Sequence, residues 1–227
     1  CILSILGLAA FLHARTGLPA AFCPAAAVAG QVLTLYALSL AGLLNFGPPL
    51  LFLAGALGLV WMLARRRETL KDFFSPGVAC FFLYAAALWA LNAGRVPDGF
   101  DNYSHWALAA KELYLTHALP GPDTLVTMTN YPPAAPLYQY FVLRLAGFSE
   151  GAMLGANGIL MGALLTCGFG DCGWKDWKRW TVCAGLMAAL TLVIPNCAVN
   201  LQVDALMGMT ALAMGLLALW DEKKTLP

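Results

Sequence analysis

Thr16 to Ala64 reads TGLPAAFCPAAAVAGQVLTLYALSLAGLLNFGPPLLFLAGALGLVWMLA, 49 residues without one Asp, Glu, Lys or Arg. A helical bilayer crossing takes about 20 apolar residues, with a range of about 17 to 25. This one stretch therefore holds two crossings and the turn between them. Asn45-Phe46-Gly47-Pro48-Pro49 supplies the turn, because proline lacks the amide and fixes its own dihedral. Outward from this hairpin, charge-free windows recur at 73–94, 151–170, 180–203 and 205–220. Of the 227 residues, 60% are hydrophobic and 11% charged, where a soluble domain carries about 25% charged residues. A soluble globule of this size needs more charge than that to cover its surface. The composition excludes a soluble enzyme, a disordered chain and a nucleic-acid binder. The expected fold class is all-α, a polytopic transmembrane helical bundle of the cell membrane with lipids as its immediate partners.

The individual spans follow from these windows. Cys1–Leu12 reads as the tail of one helix, followed by a span from Ala20 to Leu44 and a short hairpin partner from Leu50 to Leu63. Phe73–Leu91, Ala152–Phe169, Trp180–Pro195 and Leu201–Trp220 supply the remaining crossings. The first stretch is too short to span, and no basic segment or cleavage site precedes it. The expectation is a fragment that begins inside a helix and continues past Pro227. Three parts result: N-terminal helices over 1–91, a polar loop region over 92–147, and C-terminal helices over 148–227.

Basic residues orient the bundle. Arg65, Arg66, Arg67 and Lys71 form one cluster, Lys175, Lys178 and Arg179 a second, and Lys223 and Lys224 a third. If all three face the cytoplasm, 73–91 runs outward, 152–169 inward, 180–195 outward and 201–220 inward. Loop 92–133 then lies outside the cytoplasm. Ala134–Gly147, 14 residues interrupted by Arg144, reads as an interfacial or partly inserted helix. A full crossing there would turn the second basic cluster outward. The net charge of +1 says nothing about partners. Cys167 and Cys172 flank a short loop, but no His or second Cys pair completes a metal site.

The chemistry concentrates in the outer loop. From Phe100 to Tyr114 the sequence has a helical period. Phe100, Tyr103, Trp106, Ala107, Ala110, Leu113 and Tyr114 share one face; Asp101, His105 and Glu112 share the other, since residues four and seven apart stack. An amphipathic helix of this kind lies flat at the membrane surface. Asp101 at its start either caps amides or faces a site, with Asp98 as a competitor for both tasks. Asn130-Tyr131-Pro132-Pro133 and Pro136-Leu137-Tyr138-Gln139-Tyr140 read as a stiff connector. Its tyrosines are either interface anchors or part of a binding rim. A second polar cluster, Asn196 to Asp204, sits where two spans meet on the same side as Asp101. A carboxylate bordering so apolar a stretch is costly and normally faces protein or an aqueous cavity, so Asp204 and Asp101 are expected to share a pocket.

Asp101-Asn102-Tyr103-Ser104-His105-Trp106, Lys111-Glu112, Tyr131-Pro132-Pro133 and Gly147-Phe148-Ser149-Glu150 together resemble the first extracytoplasmic loop of integral-membrane glycosyltransferases of the GT-C superfamily. The likeness is to uncharacterised bacterial multipass members, and more distantly to aminoarabinose and protein O-mannosyl transferases. It implies sugar transfer from a polyprenyl-phosphate-linked donor to an envelope acceptor at the outer membrane face. Asp101 would be the catalytic base; His105 or Lys111 would compensate donor phosphate charge. Tyr131, Asp98 and Asp204 would contact substrate. Many relatives have Asp-Glu where this chain has Asp101-Asn102, and the lysine that often precedes the proline pair is Tyr131 here. No cofactor or metal follows from these residues. The rival readings are a polysaccharide polymerase or ligase, a lipid-linked-sugar transporter or flippase, and a structural membrane subunit.

The basic clusters generate a topology test. Single cysteines replacing Arg66, Asp176 and Lys223 should react with an impermeant thiol reagent only after permeabilisation, and one replacing Pro120 should react in intact cells. The reverse pattern would put loop 92–133 in the cytoplasm and discard the outer-face reading.

Overall fold

The computed structural model describes residues 1–194 and 196–225, with side chains through Asp221. The expected span end at Pro195, the charges of Lys223 and Lys224, and Pro227 lie outside the described residues. Among the described residues ten α-helices make up the bundle: α1 Ile2–Thr16, α2 Cys23–Leu40, α3 Gly47–Arg65, α4 Arg67–Phe73, α5 Pro76–Asn92, α6 Ala107–Thr116, α7 Ala134–Ala146, α8 Glu150–Leu165, α9 Trp177–Val193 and α10 Asp204–Thr225. The described residues contain no strand. Four segments are long and apolar enough to cross a membrane: Ala20–Leu40, Leu44–Arg65, Glu150–Phe169 and Asp204–Asp221. The pair α4–α5, bent by 67° at Phe74–Ser75, makes a fifth if read as one broken span. The protein is a multi-pass, all-α membrane bundle. Helix α9, at 17 residues, reaches only the lower end of the crossing range.

Local sequence explains the helix ends. Ser75 and Ser149 accept the amides of Val78 and Ala152 and so cap α5 and α8, each satisfying one donor left open in a first turn. Gly17, with φ of +67°, closes α1 in the left-handed conformation that suits glycine. The Asn45–Pro49 turn differs from its expected form. Helix α3 already begins at Gly47, with Pro48 and Pro49 in its first turn. A first-turn proline lacks only an amide that would be unpaired there anyway. The prolines therefore start a full-length span instead of shortening it to 50–63.

Two close helix contacts organise the bundle. On α1 and α3, a Cβ added to Gly7 would fall 1.8 Å from the Gly55 carbonyl oxygen. The backbones meet directly, and Ser4 donates its hydroxyl to the Leu51 carbonyl at 2.8 Å. Gln31 of α2 donates in turn to Ser4 at 2.9 Å, which ties three helices through buried polar groups. In lipid, small residues at helix interfaces and such hydrogen bonds drive association where the hydrophobic effect cannot. The second contact is α5 against α8. Gly151, Gly155, Gly158 and Gly162 lie against the Asn92 carbonyl, Trp89, Leu88 and Tyr84 respectively. This places α8 at the centre, nearly all inside protein, whereas α10 is mostly outward-facing.

The alternation expected for the crossings is consistent with the ends of the helices. The basic loops gather at one end: Trp174 donates its indole N–H to the Phe74 carbonyl at 2.8 Å, and Arg179 pairs with Asp171 nearby. At the other end Asn92 reaches the Ala198 carbonyl and Arg144 reaches Asn45. Helix α7 belongs to this second end, and it is enclosed by protein instead of lying on a surface. Residues 135–143 are all buried, between α2, α3, α6 and α8. Tyr138 and Tyr140 are fully buried as well, so they are core residues and not interface anchors. The 14-residue segment was too short to cross and too apolar for water; neighbouring helices cover it.

The glycine contacts make a direct stability test. Gly7→Ala and Gly155→Ala should each destabilise the fold by about 1–3 kcal/mol through overpacking, read as a lower unfolding midpoint in detergent. Gly30→Ala, whose Cβ would meet nothing within 4 Å, should be neutral. Equal midpoints for all three would mean the close crossings do not hold the bundle.

Candidate functional site

At the end opposite the basic loops, the chain between α5 and α7 folds back over the bundle and meets the segment between α9 and α10. Asp101 begins the turn into α6, and Ala107 N–H bonds to the Asn102 carbonyl, five residues back. Such a π-turn holds one residue more than an α-turn, and it shifts the phase of everything before it. After the turn the apolar side packs against the bundle: Ala110 and Leu113 are buried. Before it the face is rotated. Phe100 and Tyr103 are exposed, whereas Asn102 and His105 are buried. His105 is therefore not on a wet face with Asp101 and Glu112, a correction that a uniform 3.6-residue period could not supply.

The buried side of this helix walls a cavity of about 460 Å³. His105 and Trp106 form one wall, residues 128–133 of the loop another, and Tyr36 of α2 a third. Tyr131 stacks on Trp106 at 5.2 Å between ring centres and meets His105 edge-on at 5.3 Å. The ring of His105 is positioned through Nδ1, which lies 2.7 Å from the Ser104 hydroxyl. Thr127 fastens the loop to the same turn, bonding the Ser104 carbonyl through both its amide and its hydroxyl.

A second, more polar cleft of about 400 Å³ lies beside the start of the loop. Arg95, Asp98 and Gly99 line it from one side, and Asn196, Asn200 and Gln202 from the other. Asp98 accepts the Gly99 amide at 2.7 Å, and Asn102 donates to the Asp98 carbonyl. Asp101 sits at the edge of this cleft, where Gln202 donates to its carboxylate at 3.4 Å. Its side chain caps no amide. The far wall is suspended by two buried amides. Asn92 donates to the Ala198 carbonyl at 2.8 Å, and Asn157 to the Asn200 carbonyl at 2.9 Å.

The six residues singled out by sequence thus separate. His105 and Tyr131 share the aromatic cavity; Asp98 lines the polar cleft and Asp101 adjoins it. Lys111 is exposed on α6 and lines neither cavity. Asp204 is exposed in the first turn of α10; the residue of its segment that meets Asp101 is Gln202, two positions earlier. Sequence reasoning missed Arg95, and within the polar cluster Asn196 to Asp204 it chose Asp204 where Asn200 and Gln202 line the cleft. Arg95 carried a signal, being a lone cation just after a span on the side away from the basic clusters. Among the described residues no group of three or more His, Cys, Asp or Glu is placed to hold a metal ion. No family model, no curated protein and no solved structure matches this chain.

A third polar cluster braces the site. Arg144 donates to the Asn45 side chain at 2.9 Å and approaches His117 Nε2 at 3.5 Å. That fixes the proton of His117 on Nδ1, which donates to the Tyr140 hydroxyl at 3.1 Å; Tyr140 in turn donates a hydrogen bond to the Leu44 carbonyl at 3.5 Å. Burial, and after it the Arg144 guanidinium, hold the His117 imidazole below its ordinary value of 6.5. The folded state prefers the neutral ring, so the stability it carries is complete above about pH 6.5 and declines as pH falls through the lowered value. Unfolding midpoints followed from pH 7.5 to 5 should therefore drop less steeply in His117→Gln than in the parent chain. Parallel profiles would show that the cluster does not titrate with the fold.

Proposed function

We propose that this protein transfers a sugar from a polyprenyl-phosphate-linked donor to an envelope acceptor at the outer face of the membrane. The observation that carries the reading is the polar cleft, where a carboxylate and a guanidinium from the start of one loop face polar groups of a remote segment. Asp101, held by Gln202, is the base. It takes the proton of the acceptor hydroxyl as that oxygen attacks the anomeric carbon. The bond from the anomeric carbon to the phosphate oxygen breaks, and polyprenyl phosphate departs with the electron pair.

Arg95 is suited to the leaving phosphate. Its only side-chain hydrogen bond among the described residues is from Nε to the Leu91 carbonyl, which leaves the terminal N–H groups for an anion. Guanidinium recognises phosphate with two parallel donors, and charge held in place lowers the barrier to departure. The cationic role thus passes from Lys111 to Arg95. Asp98, Asn200 and Gln202 would orient hydroxyls. The polyprenyl chain would run down the bundle among the exposed apolar side chains, as lipid does.

The test uses the full chain in proteoliposomes with a panel of polyprenyl-phosphate sugars. Asp101→Asn should lower transfer by about 10² or more, the usual scale for a lost general base, at unchanged yield of folded protein. Arg95→Gln should reduce turnover as well, while Lys111→Gln should have little effect. Undiminished turnover in Asp101→Asn rejects the base assignment. Movement of intact lipid-linked sugar between leaflets, with no new glycosidic bond formed by the parent protein, assigns a flippase instead.

A further inference from the structure

The aromatic cavity has no task in the transfer step, yet it is the larger of the two and is built from rigid parts. Prolines 132, 133 and 136 and the stacked pair Trp106–Tyr131 form its walls. None of its lining residues is Asp, Glu, Lys or Arg, so nothing there would compensate a charged ligand. An acyl or isoprenoid tail would be neutral, but it would leave His105 unanswered. That side chain is 92% buried on the cavity wall, being 8% exposed, and Thr129 and Asn130 add further polar groups.

The hydrogen bonds around Ser104 set the chemistry of the ring. The Ser104 hydroxyl reaches the Asp101 carbonyl at 3.4 Å, an oxygen that can only accept, and His105 Nδ1 at 2.7 Å. Both contacts are satisfied together when Ser104 donates to the carbonyl and Nδ1–H donates to Ser104. The Nε2 atom then carries a lone pair and accepts a hydrogen bond. A ligand for this cavity is neutral, offers an O–H donor, and has an apolar face to lie on aromatic rings. About 460 Å³ lies within the roughly 300–1,000 Å³ of small-molecule sites and holds one sugar ring with room for water beside it.

We propose that the aromatic cavity binds one neutral sugar ring, with a ring hydroxyl donated to His105 Nε2 and an apolar face against Tyr131 and Trp106. This rests on the sugar-transfer reading for its biological role, but binding is measured without turnover. The full chain in nanodiscs is treated with diethyl pyrocarbonate, and carbethoxylation of His13, His105 and His117 is followed separately by mass spectrometry. The probes are methyl glycosides of hexoses, N-acetylhexosamines and pentoses, with decanol as the apolar competitor. At least one glycoside should slow the reaction of His105 about threefold when present at about twice its Kd, with His13 and His117 unaffected. Tyr131→Leu should weaken that protection.

Three results overturn the proposal: His105 that never reacts, no protection by any glycoside, or equal protection by decanol. The Asp101→Asn protein separates the two readings, because it should lose transfer and retain protection. Protection in a parent protein that transfers no sugar removes the enzyme and keeps the binding site; transfer without protection does the opposite.

Discussion

The bundle depends on the face of α8 that has no side chains. Gly151, Gly155, Gly158 and Gly162 recur at intervals of four, three and four residues, which brings them onto one side of a 3.6-residue helix. Lipid tails are as apolar as leucine, so burying leucines would not by itself draw two helices together. Close approach of backbones does, through van der Waals contact over a long seam. A Cβ at Gly155 would fall 2.5 Å from the Trp89 ring, and one at Gly151 the same distance from the Asn92 carbonyl. With α5 seated that closely, α8 becomes the central helix, and α7, α10 and α2 pack around it.

The same seam sets the geometry of the loop end. Asn92 closes α5, and Asn157 lies on α8; their amides hold the carbonyls of Ala198 and Asn200. A buried amide with a fixed acceptor is a positional constraint, because losing the partner exposes a donor that water cannot reach. The segment that carries Gln202 is thereby held against the start of the loop that carries Arg95, Asp98 and Asp101. Its polar residues are close because two helices far apart in sequence are in contact beneath them.

Chemistry divides between the two cavities by charge. Carboxylates and a guanidinium border one; no Asp, Glu, Lys or Arg lines the other. The π-turn at 102–106 makes this division possible. It directs His105 inward to the rings of Trp106 and Tyr131 while Asp101, one turn earlier, stays with Gln202. π-turns inside α-helices are frequent at functional sites, and here the extra residue changes which side chains share a wall. Bracing by Arg144, His117, Tyr140 and Asn45 ties the far end of α6 to the α2–α3 hairpin, so the cavity wall is fixed at both ends.

The fold class was determined by the sequence alone, and so was the rough placement of the four long apolar helices. Charge-free windows of crossing length leave no aqueous alternative, since lipid offers backbone N–H and C=O groups no partner and only helices or closed barrels pair them all internally, and the windows are too long for barrel strands. The helix ends are set by local chemistry, with Ser75 and Ser149 as caps and Gly17 as a stop, although the hydropathy windows alone put the starts of these two spans at Phe73 and Ala152. Asp101 could be marked as a carboxylate at the start of a polar loop between spans. Tertiary structure decided the rest. The buried Asn157 amide donates to the Asn200 carbonyl 43 residues away, a partner that nothing beside it in the chain marks. Asp204 and Lys111 drew notice for their charge, yet both are exposed, while Gln202 and Arg95 line the cleft beside Asp101. Helix α7 was ambiguous because its length suits neither water nor lipid; only the four surrounding helices explain it. The physical reason is common to these cases. Hydropathy and capping act within a few residues and can be read along the chain, whereas the phase of a π-turn and the partner of a buried amide depend on contacts between segments 40 to 110 residues apart.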